Sequence, residues 1–405
     1  MRDVAVAGAG MTRFAKYADR GLKELTNEAV SGALESAGVD KKKLQVAVVG
    51  NAAAGLITGQ ECVRGQVVLR EMGIDTIPTV NAENACASSS TAFQLGWLYV
   101  ASGMYDVALV LGVEKMHTPD KSRTMAAFGA AVDVEQLREI MQRLKPPSDK
   151  ADGESGAGKS RSLFMDIYAA AARAHMQKFG TTKEQFARIA VKNHYHGSLN
   201  PHAQYREVYS LEEILASPLI AEPLTRLMCA PIGDGAAAMV LTSAEKAKQF
   251  TTKPVWVRAS ALVTGSDDRA TVGGETSRAA QRAFEMAGMT MADVNVMEVH
   301  DASAPAELMI YEELGLCPEG EGGRLVDEGV TELGGRLPVN TSGGLLAKGH
   351  PIGATGVAQL YELWQQLRGE AGDRQVAGAK VGLAENGGGM VRGEAAATCV
   401  HILSV

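Results

Sequence analysis

Cys86 stands between a predicted strand and a predicted helix. The run 75–80 ends in β-branched residues and is typical of a strand. Apolar residues then recur at helical spacing over 92–100, and Ser88, Ser89 and Ser90 offer N-cap oxygens. A helix N-terminus favours thiolate over thiol, because it carries partial positive charge and unpaired N–H groups. This pattern predicts a nucleophilic cysteine with a depressed pKa, and a buried structural cysteine is the alternative.

Three later stretches carry histidine or glycine in patterns that suit acyl chemistry. His300 follows a predicted strand, and His350 lies between a glycine and a proline in a turn before a helix. Such an imidazole can accept a thiol proton or donate to a developing oxyanion, whereas a hydrogen-bonded turn residue is the structural alternative. In the stretch 385–389, Gly387, Gly388 and Gly389 offer unobstructed backbone N–H groups for an oxyanion hole, or else mark a hairpin.

Buried strands and amphipathic helices alternate on both sides of a long helical segment. Before this segment, strands are predicted at 4–10, 46–50 and 107–114, with a helix at 22–37. After it, strands are predicted at 239–241, 257–262 and 294–299, with helices at 276–287, 306–314 and 357–367. The alternation predicts an α/β fold with a mostly parallel sheet. Each half delivers a polar residue to a strand-to-helix junction, which indicates an internal duplication.

The segment 118–224 is rich in alanine, methionine and charge, with helical patterns at 133–144, 164–179 and 183–193. It contains the sequence GESGAGKS at 153–160, which formally matches the phosphate loop of nucleotide triphosphatases. A phosphate loop requires a buried strand immediately before it, and here a polar stretch with two prolines precedes the glycines. The match therefore favours a surface loop, with a nucleotide site as the alternative. The glycines at 8 and 10 likewise lack the third glycine of a dinucleotide loop.

Composition narrows the class of protein. The 405 residues suffice for two or more domains, and the formal net charge of −7 argues against broad binding to nucleic acid or anionic membranes. The chain contains no apolar run long enough to span a bilayer, and its N-terminus runs directly into a strand without a signal peptide. The five scattered cysteines show no zinc-like spacing, so we expect no metal site and a reducing, cytoplasmic location.

Taken together, these stretches resemble the thiolase superfamily over essentially the whole chain. The resemblance rests on the Cys86 turn, His300-Asp301 and the late glycine cluster, and on GVEKM at 112–116, VKNH at 191–194, GDGAA at 233–237 and GHP at 349–351. The start of the His300-Asp301 motif is similar to that of the sterol-carrier-protein-like, or lipid-transfer, thiolases and their bacterial relatives, including benzoylsuccinyl-CoA thiolase-type subunits. The resemblance implies a duplicated fold, with two mostly parallel or mixed sheets in an αβαβα layered arrangement. It implies thiolase halves at 1–117 with 225–250 and at 251–405, and a helical loop domain at 118–224.

The resemblance also implies the chemistry. Cys86 would be the acylated nucleophile and His350 its base. The first oxyanion, or its water, would be held by His300 with His350. The second oxyanion would be held by the N–H groups of Cys86 and Gly387, with Gly388 beside them. The reaction would be cleavage or formation of a carbon–carbon bond in a β-keto acyl-CoA, with coenzyme A as substrate and no covalently bound cofactor. The family also implies a homodimeric core.

One departure from the family pattern concerns the second cysteine, which protonates the leaving carbanion. Its two family positions correspond to Glu385 and Ala302 here, and neither holds a thiol. An acid is still required, so His300, His350, a water or a further group must serve. The departure favours an atypical or bulky substrate, aromatic substrates included, and a small accessory protein with an OB-fold and a zinc ribbon. A retro-aldolase and a non-catalytic acyl-CoA-binding subunit are the alternatives.

The coenzyme A pocket is less well defined by the sequence. Four basic residues in and just after the helical segment are candidates for phosphate contacts, and each could equally be a surface charge: Arg161, Arg173, Lys178 and Arg226. Ser342 is a candidate pantetheine contact by resemblance alone.

Overall fold

The computed structural model describes residues 1–137, 139–140 and 162–405. The strands are β1 Val4–Met11, β2 Val46–Gly50, β3 Thr79–Ala82, β4 Val107–Glu114, β5 Leu219–Ala221, β6 Leu224–Thr225, β7 Gly235–Ser243, β8 Val255–Val263, β9 Val296–Glu298, β10 Val381–Gly388 and β11 Ala397–Ser404. The phosphate-loop match at 153–160, Arg161 and part of the predicted helix 133–144 lie outside the described residues.

The α-helices in the described residues are α1 Leu22–Ala37, α2 Ala54–Thr58, α3 Arg64–Arg70, α4 Ser88–Ala101, α5 Lys121–Gly129, α6 Leu163–Phe179, α7 Lys183–Ser198, α8 Leu211–Ala216, α9 Ala244–Phe250, α10 Arg269–Val272, α11 Glu275–Ala287, α12 Ala304–Glu313, α13 Gly322–Asp327, α14 Gly344–Ala347 and α15 Thr355–Arg368. Short 3-10 helices occupy Lys41–Lys43, Ala85–Ala87, Arg226–Met228, Met291–Asp293, Ile352–Ala354 and Gly372–Arg374.

The main sheet repeats one strand arrangement twice. Its order is β3-β2-β4-β7-β1-β8-β11-β10-β9, and Val339 bridges to β9 in parallel on the outer side. Counted from the middle of the sheet outward, the first half contributes β1, β7, β4, β2 and β3, and the second half contributes β8, β11, β10, β9 and the segment at Val339. Both halves therefore place their extended segments in the same order: first, fifth, fourth, second and third along the chain. In each half the inner two pairings are antiparallel and the outer two parallel. The α/β class and the duplication are confirmed. Of the two expected strand arrangements, mostly parallel or mixed, the mixed one is observed, and the sheets of the two halves join through β1 and β8.

The strands are buried on both faces, and alternate residues enter different cores. Val46 and Val48 of β2 face an inner core with α4 and α15, whereas Ala47 and Val49 face an outer core with α1. The second half follows the same rule: Leu403 of β11 packs inward, and its neighbour faces α11 and α12. Because strand side chains alternate between faces, this distribution produces the expected αβαβα layers.

The two middle-layer helices are the most enclosed elements of the fold. In α4, Phe93 and Trp97 pack in the inner core, and in α15, Leu360 and Leu363 do so. The serines at the start of α4 and nearly all of α15 are buried. Residues at the N-terminal ends of these helices are therefore held by both halves of the molecule. Among the described residues, no helix combines the length and apolarity needed to cross a membrane.

Candidate active site

Cys86 lies in a strained turn between β3 and α4. The predicted strand 75–80 is observed as Thr79–Ala82, and the 3-10 turn Ala85–Ala87 follows it. Ala85 has a φ of 47°, in the left-handed region that residues other than glycine rarely adopt. Non-glycine residues in this region are held there by surrounding contacts and are common at catalytic turns. The turn directs the thiol toward the cavity.

The predicted capping role of the three serines is wrong. Ala87 is the N-cap of α4, and Ser88, Ser89 and Ser90 form its first turn. The Ser88 hydroxyl instead donates to the Ala85 carbonyl at 2.6 Å and accepts from the Asn84 N–H at 3.0 Å. The extra 3-10 turn shifts the helix start, so the serine hydroxyls tie the turn to neighbouring segments rather than capping free N–H groups.

His350 lies in the turn before α15, and its imidazole contacts the Cys86 thiol. Its Nε2 lies 3.3 Å from Cys86 Sγ, and its Nδ1 lies 2.7 Å from Thr355 Oγ1. The Thr355 hydroxyl donates its one proton to the Pro351 carbonyl at 3.2 Å, so it must accept from Nδ1–H. Nε2 therefore carries the lone pair and can accept the thiol proton.

His300 is held in the opposite tautomer. Ser90 Oγ donates to Asn386 Oδ1 at 2.9 Å, which fixes the orientation of that amide. The amide Nδ2 then donates to His300 Nδ1 at 2.8 Å, so the ring carries its proton on Nε2. His300 can thus donate a hydrogen bond to an oxyanion in the cavity, whereas His350 can accept a proton.

Cys86, His300 and His350 form one compact cluster. One side-chain ligand atom from each lies within 4.8 Å of the others, and the two imidazoles meet edge to face with centroids 5.1 Å apart. Three such atoms could also contact a soft metal ion. The hydrogen bonds above give each ring a defined donor and acceptor, which is the arrangement that acid–base chemistry requires.

The predicted depression of the Cys86 pKa is wrong. Burial, followed by the negative charge of Glu114, raises the pKa of the thiol to about 12. The backbone N–H groups of Gly389 and of Cys86 itself act in the opposite direction but do not compensate. At neutral pH the pair is therefore a thiol beside a neutral imidazole, and proton transfer to His350 must accompany attack on a carbonyl.

Both histidines are neutral at physiological pH. Burial lowers the pKa of His300 to about 4. Burial, followed by the charges of His300 and Lys348, lowers the pKa of His350 well below its ordinary value. A neutral His350 can act as a base, and a neutral His300 keeps its single N–H as an uncharged donor.

The late glycines approach the nucleophile closely. A Cβ at Gly388 would lie 2.2 Å from the Asn84 carbonyl and 2.5 Å from the Ala87 nitrogen, so a larger residue cannot occupy this position. Gly387, Gly388 and Gly389 all line the cavity. Of the three, Gly389 supplies the N–H that acts on the sulfur.

Two of the sequence motifs, GVEKM and GDGAA, act behind the site. Glu114 accepts from the Gly353 N–H at 3.0 Å and from the Ala52 N–H at 3.0 Å, joining the turn after His350 to the end of β2. Asp234 accepts from the N–H groups of residues 116 and 117, both at 2.7 Å, and pairs with Lys115 at 2.7 Å. Glu114 thus connects the two halves beside the cysteine–histidine pair, and Asp234 holds the segment after β4 within the first half.

The VKNH and His300-Asp301 motifs form a second buried network. Asn193 donates to Asp301 at 2.7 Å, and Asp301 accepts from the Leu345 N–H at 2.6 Å, at the start of α14. Lys192 pairs with Glu307 next to this contact. The network ties α7 to the loop that carries His300.

A cavity of ≈ 770 Å³ opens onto the cluster. The helices α5 and α6 and the segment after α7 form one wall, and residues of α12 form another. The wall is largely apolar and aromatic, with side chains that include Phe128, Phe164, Met165, Tyr168, Tyr209 and Met309. Tyr168 is close enough to Cys86 and Glu385 for their charges, after burial, to raise its pKa. Such a cavity can hold a thioester and an apolar group attached to it.

The residues predicted to contact coenzyme A lie in different surroundings in the structure. Arg226 is exposed and lines the cavity. Arg173 donates to the Glu222 carbonyl at 2.5 Å, and Lys178 pairs with Glu319 on the surface at 2.8 Å. Ser342 is fully buried behind the site, and its hydroxyl donates to Glu298 at 2.5 Å. Because that hydroxyl is committed and absent from the cavity wall, the pantetheine contact predicted for Ser342 is not formed in this structure.

Several residues of the site were not identified from the sequence. Thr355 and Asn386 orient the two histidines. Both lie within five residues of a predicted site residue, so the flanks of each motif carried the relevant signal. Glu385 was noted only as the replacement of a cysteine, and its position in the cavity wall is visible only in the structure.

Comparison with known families and proteins agrees with this geometry. The family profile "Thiolase, N-terminal domain" matches residues 4–245, and "Thiolase C-terminal domain-like" matches residues 262–404. The acetyl-CoA acetyltransferase of Methanothermobacter thermautotrophicus is 41% identical over 100% of both chains. Sterol carrier protein 2 of Homo sapiens is 36% identical over 95% of this chain and 70% of that protein.

Solved structures share the fold over the full chain. An Ltp2-ChsH2(DUF35) aldolase has a TM-score of 0.80 at 24% identity, covering 100% of this chain and 98% of that one. Human mitochondrial 3-ketoacyl-CoA thiolase in complex with CoA has a TM-score of 0.72 at 18% identity, with the same coverage. At these identities the likeness concerns the fold alone.

Proposed function

Because this chain belongs to the thiolase family, we propose that it cleaves or forms a carbon–carbon bond of a β-keto acyl-CoA through an acyl-Cys86 intermediate. It is a thiolase-type acyltransferase, and coenzyme A is its substrate. The single observation that supports the proposed step is the 3.3 Å contact of the Cys86 thiol with the unprotonated Nε2 of His350. We also propose the domain division of the family for this chain: one half at 1–117 with 225–250, the other at 251–405, and a helical loop domain at 118–224.

In the cleavage direction His350 accepts the thiol proton while Cys86 attacks the β-keto carbon. His300 donates to one oxyanion, and the N–H groups of Cys86 and the glycines at 387–389 stabilise the other. The Cα–Cβ bond breaks with its electron pair on the α-carbon, which takes up a proton from an acid of the site, and the acyl group remains on the sulfur. Coenzyme A then attacks the acyl-Cys86: its thiol proton passes to the base left by that acid, and the Cys86 sulfur recovers its own proton from His350. Preorganised donors of this kind commonly lower the barrier of acyl transfer by several kcal/mol.

The cavity wall supports a bulky substrate, with an aromatic acyl group as the strongest case. Its lining of aromatic, methionine and branched side chains offers apolar contact to a ring, and the volume of ≈ 770 Å³ exceeds what an acetyl group needs. Ala171 lies in this wall on α6. Ala171→Phe should slow acylation by benzoyl-CoA more than acylation by acetyl-CoA. Equal slowing of both would argue against a bulky-acyl pocket.

Arg226 is the proposed phosphate contact of coenzyme A. It is exposed at the cavity wall, where a guanidinium can pair with a phosphate. Arg226→Ala should raise KM for coenzyme A and leave KM for a pantetheine substrate unchanged. Lys178→Ala is the matched control, because Lys178 already pairs with Glu319 on the surface. An equal rise for both substrates would contradict the assignment.

We propose a homodimeric core and a small OB-fold and zinc-ribbon accessory protein as partners. β3 forms an open edge of the sheet, and open edges are commonly covered by a second chain. The DUF35 protein named with one structural neighbour supports the accessory partner. Light scattering of the purified protein should give twice the mass of one chain. A monomer at all concentrations would overturn the dimer.

The central test is intact mass after brief exposure to acetyl-, hexanoyl-, benzoyl- and succinyl-CoA. A mass increase that Cys86→Ala abolishes, and that Cys229→Ala retains, would establish the covalent acyl-enzyme. Cys229 is a matched control because its thiol also lines the cavity. No adduct from any of these thioesters, with or without a co-purified partner, would overturn the proposed step and favour a binding subunit.

A further inference from the structure

A second carboxyl group faces the cavity beside the cysteine–histidine cluster. Glu385 lies on β10, is 2% exposed and lines the same cavity as Cys86. Its Oε2 accepts from the backbone N–H of His300 at 2.9 Å. A Cβ at Gly387, two residues along the same strand face, would lie 3.7 Å from its Oε1. One oxygen is thus anchored, and the other is beside the proposed oxyanion donors.

The surroundings of Glu385 keep it protonated. Within the described chain, no cationic side chain pairs with it. The titratable groups that face it are Glu275 of α11, Glu313 of α12, Cys399 of β11, Tyr168 of α6 and His300. Burial, with the charges of Glu313 and Glu275 in support, raises the pKa of Glu385 to about 8, against the single lowering effect of the His300 N–H. Near neutral pH the group is mainly a carboxylic acid.

The thiol of Cys229 is a second group in the cavity wall that could donate a proton to the substrate. It lines the cavity too, next to Ala302, whose carbonyl accepts from the Ala230 N–H at 3.1 Å. Its sulfur, however, donates to the Thr225 carbonyl at 3.4 Å, and burial raises its pKa to about 12. Cys229 is thus committed to another acceptor and is the weaker acid.

We infer that Glu385 is the catalytic residue that carries the proton to and from the α-carbon of the thioester enolate. This inference rests on the proposed function. In cleavage, the electron pair of the broken Cα–Cβ bond takes the carboxyl proton and forms a C–H bond, leaving a carboxylate. When coenzyme A attacks acyl-Cys86, its thiol proton passes to that carboxylate and restores the acid. In condensation, the carboxylate removes a proton from the α-carbon of the nucleophilic thioester.

The test separates acylation from proton transfer to carbon. Glu385→Gln keeps the size of the side chain and an oxygen that can accept from His300 N–H, but it cannot exchange a proton. The probes are acetyl-CoA and succinyl-CoA in D₂O, with deuterium entry at the α-carbon measured by mass spectrometry. Acylation of Cys86 by the same thioesters is measured in parallel. Cys229→Ser is the matched control, and Glu385→Asp is the conservative variant.

We expect wild-type protein and Cys229→Ser to exchange the α-hydrogens. Glu385→Gln should be slower by about 100-fold or more, with acylation of Cys86 retained. Glu385→Asp should recover part of the exchange, and retained acylation shows that the variants fold. Exchange at the wild-type rate in Glu385→Gln, or its loss in Cys229→Ser instead, would overturn the inference. So would wild-type protein that acylates but never exchanges. Absence of acylation would instead overturn the proposed function.

The pH profile supplies a readout that a structural role would not affect. Exchange requires the carboxylate, so its rate should rise with pH to a plateau above about 8. Cleavage requires the acid, so its rate should fall above about the same pH. In Glu385→Asp both midpoints should move together. Profiles that are unchanged by this substitution would overturn the inference.

Discussion

At the scale of single residues, the roles of the two histidines are decided by their neighbours. Thr355 directs the lone pair of His350 toward the sulfur, and Asn386 leaves the proton of His300 on the opposite nitrogen. The rings are chemically identical, yet one becomes an acceptor and the other a donor. Burial keeps both uncharged, since it lowers the pKa of each. The orienting residues are therefore as important to the chemistry as the rings themselves.

The substitution Thr355→Val tests the orientation of His350. Valine has nearly the same shape as threonine but cannot accept from Nδ1–H, so the ring can rotate or change tautomer. We expect kcat to fall by about 10-fold to 100-fold with little change in KM, because substrate contacts remain. Steady-state kinetics with the thioester that acylates the protein checks this. A proportional rise in KM at constant kcat would contradict the orienting role.

The pKa of Cys86 can be tested through alkylation. Because burial raises it to about 12, the thiolate fraction should grow about tenfold per pH unit across the neutral range. The alkylation rate with iodoacetamide should rise accordingly between about pH 7 and pH 9 without a plateau. The exposed Cys62 is first replaced by serine, so that it does not compete. A plateau near neutral pH would restore the depressed pKa predicted from the sequence.

At the scale of elements, the site is built where equivalent parts of the two halves meet. Cys86 follows the third extended segment of the first half and precedes α4. His350 follows the third extended segment of the second half, at Val339, and precedes α15. The two helices pack in the middle layer, and Ser89 Oγ accepts from the Val357 N–H at 3.1 Å. Duplication therefore places the nucleophile and its base face to face.

Gly356 is a position of close contact between these helices. A Cβ there would lie 2.0 Å from Ser90 Oγ and 2.6 Å from Ser90 N. Gly356→Ala should lower the free energy of unfolding by about 1–3 kcal/mol and slow acylation, because Ser90 also orients Asn386. Urea denaturation and the acylation rate measure the two effects.

The matched control is Gly129→Ala at the end of α5, where a Cβ would meet no atom within 4 Å. Its free energy of unfolding should stay within about 1 kcal/mol of wild type. Equal destabilisation by both substitutions would show that close packing at Gly356 is not the cause.

At the scale of the whole molecule, the cavity is formed by segments far apart in the chain. The turn between β3 and α4, the helices α5 and α6, the loop after β9, α12 and β10 all contribute to its wall. Enclosure by so many elements removes water from the site, and this desolvation shifts the pKa of every titratable group in the cluster. The same burial that keeps Cys86 a thiol keeps Glu385 an acid.

The stability of the whole protein should report the Glu385 proton. Its pKa rises to about 8 on folding, so between about pH 4.5 and pH 8 the folded state holds a proton that the unfolded state has released. Wild-type stability should therefore fall with rising pH through this window, by up to about 1.4 kcal/mol per pH unit from this group. The side chain of Glu385→Gln does not titrate. The free energy of unfolding of this variant, relative to that of wild type, should therefore increase from about pH 4.5 to pH 8. Urea denaturation of both proteins across this range measures it, and a constant difference would contradict the elevated pKa.

Local chemistry determined what the sequence could predict. Helix α1 follows from apolar spacing and a closing glycine, and its observed bounds, Leu22–Ala37, agree with the prediction. The buried strands, the α/β class and the position of Cys86 in a turn after a strand follow in the same way. The order and types of the motifs were sufficient to indicate the family. All of these depend on residues close together in the chain.

Only the tertiary structure decided the electrostatics and the final arrangement of the site. Burial and Glu114 raise the pKa of Cys86, and Ser342 is buried against Glu298. Glu385 on β10 accepts a hydrogen bond from His300, which follows the neighbouring strand β9. Desolvation and charge act through space between groups that are 28 or more residues apart in the printed sequence. Spacing along a chain carries no information about which distant side chains exclude water. For this reason the sequence determined which residues were available, and the packing of the two halves determined their protonation states.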